Sequence, residues 1–164
     1  MQLIRDGQFV CDRWTRMSAE RTFTRGSEVG FEVDPDTPMD QLQRLTKHAA
    51  LLVVRFPSAA DGRGFSVARA LRDFGFEGEL RASGPLIADQ YDFLLRSGFD
   101  SVEIPFTLAQ RQLEIHWRNA MSGLGLTYQP RGAERSAILR RSQAIGATSA
   151  EHTSSVSIKS SGQA

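Results

Sequence analysis

The sequence predicts an α/β fold: an N-terminal β-hairpin followed by about four strand–helix units, with a parallel sheet that carries its helices mainly on one face, like half of a barrel. Strand-like runs at Ala49–Pro57, Gly78–Pro85 and Ser101–Pro105 alternate with stretches whose apolar residues recur at helical spacing: Phe65, Ala68, Leu71 and Phe74, then Leu86, Tyr91, Leu94 and Leu95. Those helical stretches end at Gly75 and Gly98, the residue type that closes a helix in the left-handed conformation. The strands also alternate apolar with polar residues, whereas a parallel sheet buried on both faces reads as near-continuous apolar runs. Right-handed crossovers between strands added in sequence put every helix on one side, so the polar face is expected to stay partly open.

In chain order, Gln2–Val10 is a hairpin turning at Asp6-Gly7, a dipeptide suited to a tight turn, and Trp14 follows as a packing anchor. Residues 18–27 lack sustained periodicity and read as a loop. Glu28–Val33 is a strand stopped by Asp34-Pro35, after which Thr37 is expected to cap a helix with Pro38 in its first turn. After the last strand, Thr107 is expected to cap one further helix running to Met121. The organisation that follows is a hairpin and anchor over residues 1–14, an α/β core over 28–122, an extension over 123–145 containing a short basic helix at 133–143, and a tail over 146–164. That tail is rich in Ser, Thr, Gly and Ala, and its composition predicts disorder, since it offers too little apolar surface to offset the entropy of ordering it.

Composition narrows the function. With 164 residues, 40% of them hydrophobic, the chain can build one ordinary domain. A formal charge of +1 gives no global pull toward nucleic acid or an anionic membrane. A single cysteine, Cys11, excludes an internal disulfide, and no Cys/His cluster has metal-ligand spacing. The start lacks the pattern of a signal peptide and no apolar stretch approaches a membrane span, so the expectation is a cytoplasmic protein without metal or evident cofactor.

The polar face carries the candidate site. Glu32, Arg55, Arg81 and Glu103 fall on it near the carboxyl ends of neighbouring strands, where ligands of α/β folds collect. Glu79 and Ser101 share the same alternation. Such a ladder suits an anion or a partner's polar group, and equally a row of structural ion pairs. A second candidate is the loop Asp61-Gly62-Arg63-Gly64-Phe65-Ser66, where glycines flank an arginine at a helix start; in it Asp61 serves more simply as a turn cap. The loop Ser83-Gly84-Pro85, with Asp89 and Gln90 in the turns after it, is similar. Arg69 and Arg72 read as the solvated side of their helix. Neither a dinucleotide fingerprint nor a P-loop is present, and His48, His116 and His152 have no companions at catalytic spacing.

Together Phe56-Pro57, the loop 61–66, Ala68-Arg69, Leu71-Arg72, residues 78–82, Gly84, Asp89-Gln90 and residues 96–100 resemble a bacterial domain-of-unknown-function family associated with assimilatory sulfite reduction and labelled as an oxidoreductase of that step. The chain resembles a divergent or shortened member, with Ala88 where an arginine is common and Ser97 where a cysteine is common. The resemblance implies a role in reducing sulfite to sulfide, with the sirohaem sulfite reductase as partner. Since no iron–sulfur, flavin or nicotinamide motif is present, the reading is an accessory that does not itself carry electrons. Arg55, Arg63, Arg81 and Glu103, with Asp61 and Gln90 shaping the loops, are the first candidates for its functional end. Glu32, Ser66, Arg69 and Asp89 form a second tier. The alternative is a small enzyme acting on an anionic metabolite at the same strand ends, with Glu103 or Glu32 as general base. The partly open sheet face also allows a homo-oligomer.

Overall fold

The computed structural model describes residues 1–17 and 21–122. The sequence runs β1 (Gln2–Arg5), β2 (Gln8–Val10), β3 (Thr15–Met17), β4 (Thr22–Arg25), β5 (Glu28–Val33), α1 (Met39–Leu45), β6 (Leu51–Arg55), α2 (Arg63–Asp73) and β7 (Glu79–Ser83). After a 3₁₀ turn at Ala88–Gln90 come α3 (Tyr91–Arg96), β8 (Ser101–Ile104), α4 (Phe106–Ala109) and α5 (Glu114–Ser122). The expected extension and tail fall outside the described residues.

The strands form one curled, half-barrel-like sheet in the order β2-β1-β8-β7-β6-β5-β4-β3. Its centre, β5 to β8, is parallel as expected. The whole sheet is mixed, because β1 and β2 add antiparallel at one edge and β4 and β3 at the other. The second hairpin lies largely within the stretch expected to be loop. Its strands are too short to show periodicity, and pairing of β3 with β4 and of β4 with β5 makes them strands.

Alternation sorts the side chains as the sequence suggested. Leu52, Val54, Leu80, Ala82, Val102 and Ile104 are fully buried on the helix-covered face. The α2 residues Val67, Ala68 and Leu71 and the α3 residues Tyr91, Leu94 and Leu95 are buried as well. Gly75 (φ 84°) and Gly98 (φ 107°) lie in the left-handed region just past these two helices.

Two helix starts differ from expectation. Pro38, not Thr37, holds the cap position of α1; the Thr37 hydroxyl instead accepts the Asp34 N–H at 3.1 Å, bracing the preceding turn. Pro105 likewise precedes α4, with Thr107 inside it, and the single helix expected to Met121 breaks into α4 and α5. Arg72 is not on a solvated side. Its guanidinium donates to the carbonyls of Phe76, Gly78 and Gly98 and to Asp100, tying together the amino-terminal ends of β7 and β8.

The largest departure concerns the polar face. Residues 11–14 link the two edge hairpins and pass across the concave side of the sheet as a strap. Trp14 packs there with Phe23, Leu51 and Val53 in a small second core. The face expected to be partly open is closed over its centre, where Arg81 is 0% exposed and Glu103 4%, and stays open at the rim beside Arg55.

Candidate functional site

Strand register places the concave charges. Glu32, Val53, Arg81 and Ser101 form one cross-strand row, and Arg55 and Ser83 with Glu103 form the next row toward the strand carboxyl ends. The four ladder residues therefore share a face, but on two levels with different surroundings.

At the centre, Arg81 donates to both oxygens of Asp12 (2.6 and 3.0 Å), to Glu79 (3.1 Å) and to Glu103 (3.2 Å). Asp12 comes from the strap and is held in place by accepting the Trp14 N–H at 3.0 Å. Glu79 also takes Arg5 at 2.7 Å, the Ser101 hydroxyl at 2.8 Å and the Trp14 indole N–H at 3.3 Å. Burial alone pushes the carboxyls of Asp12 and Glu79 up. The Arg81 guanidinium, aided by Arg5 at Glu79 and by backbone N–H groups at Asp12, more than reverses this and holds both below the ordinary carboxylate range. Burial opposes the charge on Arg81 too, but its carboxylate partners raise its proton affinity further.

Arg16 extends the network across the curl of the sheet, donating to Glu32 at 2.6 Å and Glu103 at 2.9 Å. Its guanidinium also lies 4.6 Å from the centroid of the Phe23 ring. Arg21 donates to Glu32 and to Asp34. Arg5, Arg16, Arg21, Arg55 and Arg81 thus face Asp12, Glu32, Asp34, Glu79 and Glu103, and the set is formally neutral.

Arg55 stands apart at the rim. Its side chain is half exposed, and its approaches to Glu32 (3.7 Å) and Asp34 (3.5 Å) exceed ordinary hydrogen-bond length. It lines a cleft of about 410 Å³ together with Arg16, Glu32, Phe56, Ser83 and Gly84. Gly84 is required there, because a Cβ would come within 2.2 Å of the Phe56 carbonyl oxygen. A second cleft of about 740 Å³ is lined by Leu3, Phe9, Val10, Phe23 and Phe106 together with Gln2, Asp12, Arg16 and Glu103.

The loop candidates form their own cluster. Arg63 pairs with Asp61 and Asp36, and Asp61 accepts the Arg63 backbone N–H at 3.1 Å, the turn-capping role expected of it. The Arg63 contacts bring the Asp61 carboxyl down to about 2. Gln90 accepts the Ile87 N–H and donates to the Ala59 carbonyl at 2.7 Å, joining two loops. Ser66, Arg69 and Asp89 are exposed, with Arg69 beside Asp73 on its own helix. Asp61, Arg63, Ser66, Arg69, Asp89 and Gln90 line neither cleft, whereas the loop Ser83-Gly84-Pro85 lines the one beside Arg55.

The sequence reading missed Asp12, Arg16 and Arg5 as members of the charged face. Glu79 and Ser101 were readable, since each stands two residues before a ladder charge on the same strand. Among the described residues, no group of His, Cys, Asp and Glu side chains is placed to hold a metal ion, and no helix is long and apolar enough to cross a membrane.

The fold and the site define a small α/β protein whose curled sheet holds an ion-pair network inside its concave face and clefts at its rim. The chain belongs to the family described as bacterial protein of unknown function (DUF934), which matches residues 30–139. No curated protein and no solved structure matches it.

Proposed function

We propose that this protein is an accessory of assimilatory sulfite reduction that assists the sirohaem sulfite reductase and does not itself carry electrons. The sulfur assignment rests on the resemblance carried by residues between Phe56 and Asp100. The accessory assignment rests on one observation: every carboxylate of the concave face is engaged by arginine. Glu32 is held by Arg16 and Arg21, Glu103 by Arg16 and Arg81, and Asp12 and Glu79 by Arg81. A general base needs a lone pair free to meet substrate, and these carboxylates have theirs committed.

The alternative, an enzyme acting on an anionic metabolite, draws on the cleft beside Arg55. It requires Glu32 or Glu103 to surrender an arginine before it can act. Turnover of such a metabolite by the isolated protein would favour it.

Growth of a deletion strain tests the proposal. The strain is expected to fail on sulfate or sulfite as sole sulfur source and to recover on sulfide or cysteine. Normal growth on every source overturns it.

A further inference from the structure

Met1 and Arg16 line both clefts, so the two meet and form one mouth at the carboxyl ends of the parallel strands. One half carries Arg55 and Ser83; the other carries Leu3, Val10, Phe23 and Phe106 beside the already paired Asp12 and Glu103. Ligand sites of α/β folds lie at this end of the sheet, and small-molecule sites combine an apolar wall with a few placed polar groups.

The half beside Arg55 holds groups whose bonding capacity is not used. Arg55 makes only its two long approaches, whereas the neighbouring Arg16 and Arg21 bind carboxylates at 2.6–3.1 Å. Ser83 is the direct cross-strand partner of Arg55 on the same face, and its hydroxyl has no hydrogen-bond partner among the described residues. A fork of guanidinium N–H groups beside a hydroxyl donor matches a carboxylate, which the fork can take through both oxygens. Arg55 is the one guanidinium of the set whose carboxylate approaches are long, so the site offers one cation and suits a ligand of single negative charge. In the other half, Phe106 is 60% exposed, a large ring left facing solvent at the rim.

We propose that the mouth binds a small organic monocarboxylate with an aromatic or branched apolar body, its carboxylate on Arg55 and Ser83 and its body against Leu3, Val10, Phe23 and Phe106. This site is independent of the sulfur assignment, and binding there needs no chemistry from Glu32 or Glu103.

The test is amide NMR titration of the full chain with 3-phenylpropionate, alongside acetate as the head alone and 3-phenylpropan-1-ol as the neutral counterpart. Saturable shifts are expected at Ser83, Gly84, Phe23 and Phe106, with acetate and the alcohol each binding at least about tenfold more weakly. Arg55→Ala is expected to weaken 3-phenylpropionate binding by about tenfold or more, and Ser83→Ala by less, in proteins whose remaining spectra match the wild type. Shifts scattered away from the mouth, equal binding of the alcohol, undiminished binding by Arg55→Ala, or no saturable binding up to about 10 mM would each overturn the proposal.

Discussion

Arg55 and Arg81 sit one residue row apart on neighbouring strands of the same sheet face, yet they live in different surroundings. Arg81 is fully buried and grips Asp12, Glu79 and Glu103, while Arg55 is half exposed and holds nothing closely. The difference comes from the strap. Asp12 and Trp14 cross the sheet at the level of Arg81 and stop short of the rim, so the central charges lose water and gain partners. Identical residue types are therefore fastening in one row and available in the next.

The largest effect that would test this contrast is on stability. Arg81→Ala leaves Asp12, Glu79 and Glu103 close together with their shared cation gone, and should cost about 3–5 kcal/mol in denaturant unfolding. This changes what an Arg81 substitution can report: loss of function in that variant would follow from the fold. An intermediate effect is expected from acid. Asp12 and Glu79 have folded-state proton affinities below their ordinary values, so the unfolded chain binds more protons as pH falls. Their contribution is complete above about pH 5 and is lost as pH drops through about 4 and below, which denaturant melts at successive pH values would record. The smallest effect is that of Arg55→Ala, which should stay within about 0.5 kcal/mol of wild type in the same melts, because a loosely held surface charge adds little.

The parallel centre of the fold was legible because each of its strands is long enough to alternate and is followed by a helical stretch with its own period. Gly75 and Gly98 marked the helix ends for a backbone reason that the residue type carries by itself. The second hairpin was not legible. Thr15–Met17 and Thr22–Arg25 carry no pattern of their own and become strands by pairing with each other and, through β4, with β5. The same limit hid half of the charged face. Arg81 and Glu103 could be placed from alternation, but Asp12 and Arg16 meet them across sequence separations of 69 and 87 residues, which no local periodicity records. Legible strands without a visible strap suggested a partly open face, and the strap buries Arg81 and Glu103 of the candidate set in ion pairs while leaving Arg55 at the open rim.

Arginine reactivity measures the contrast most directly. The folded protein would be treated with phenylglyoxal, with modification at each arginine followed by peptide mass spectrometry. Arg55 should be modified early while Arg81 stays protected until denaturant unfolds the chain. Modification of Arg81 in the folded protein at the rate of Arg55 would contradict the strapped interior on which the account depends.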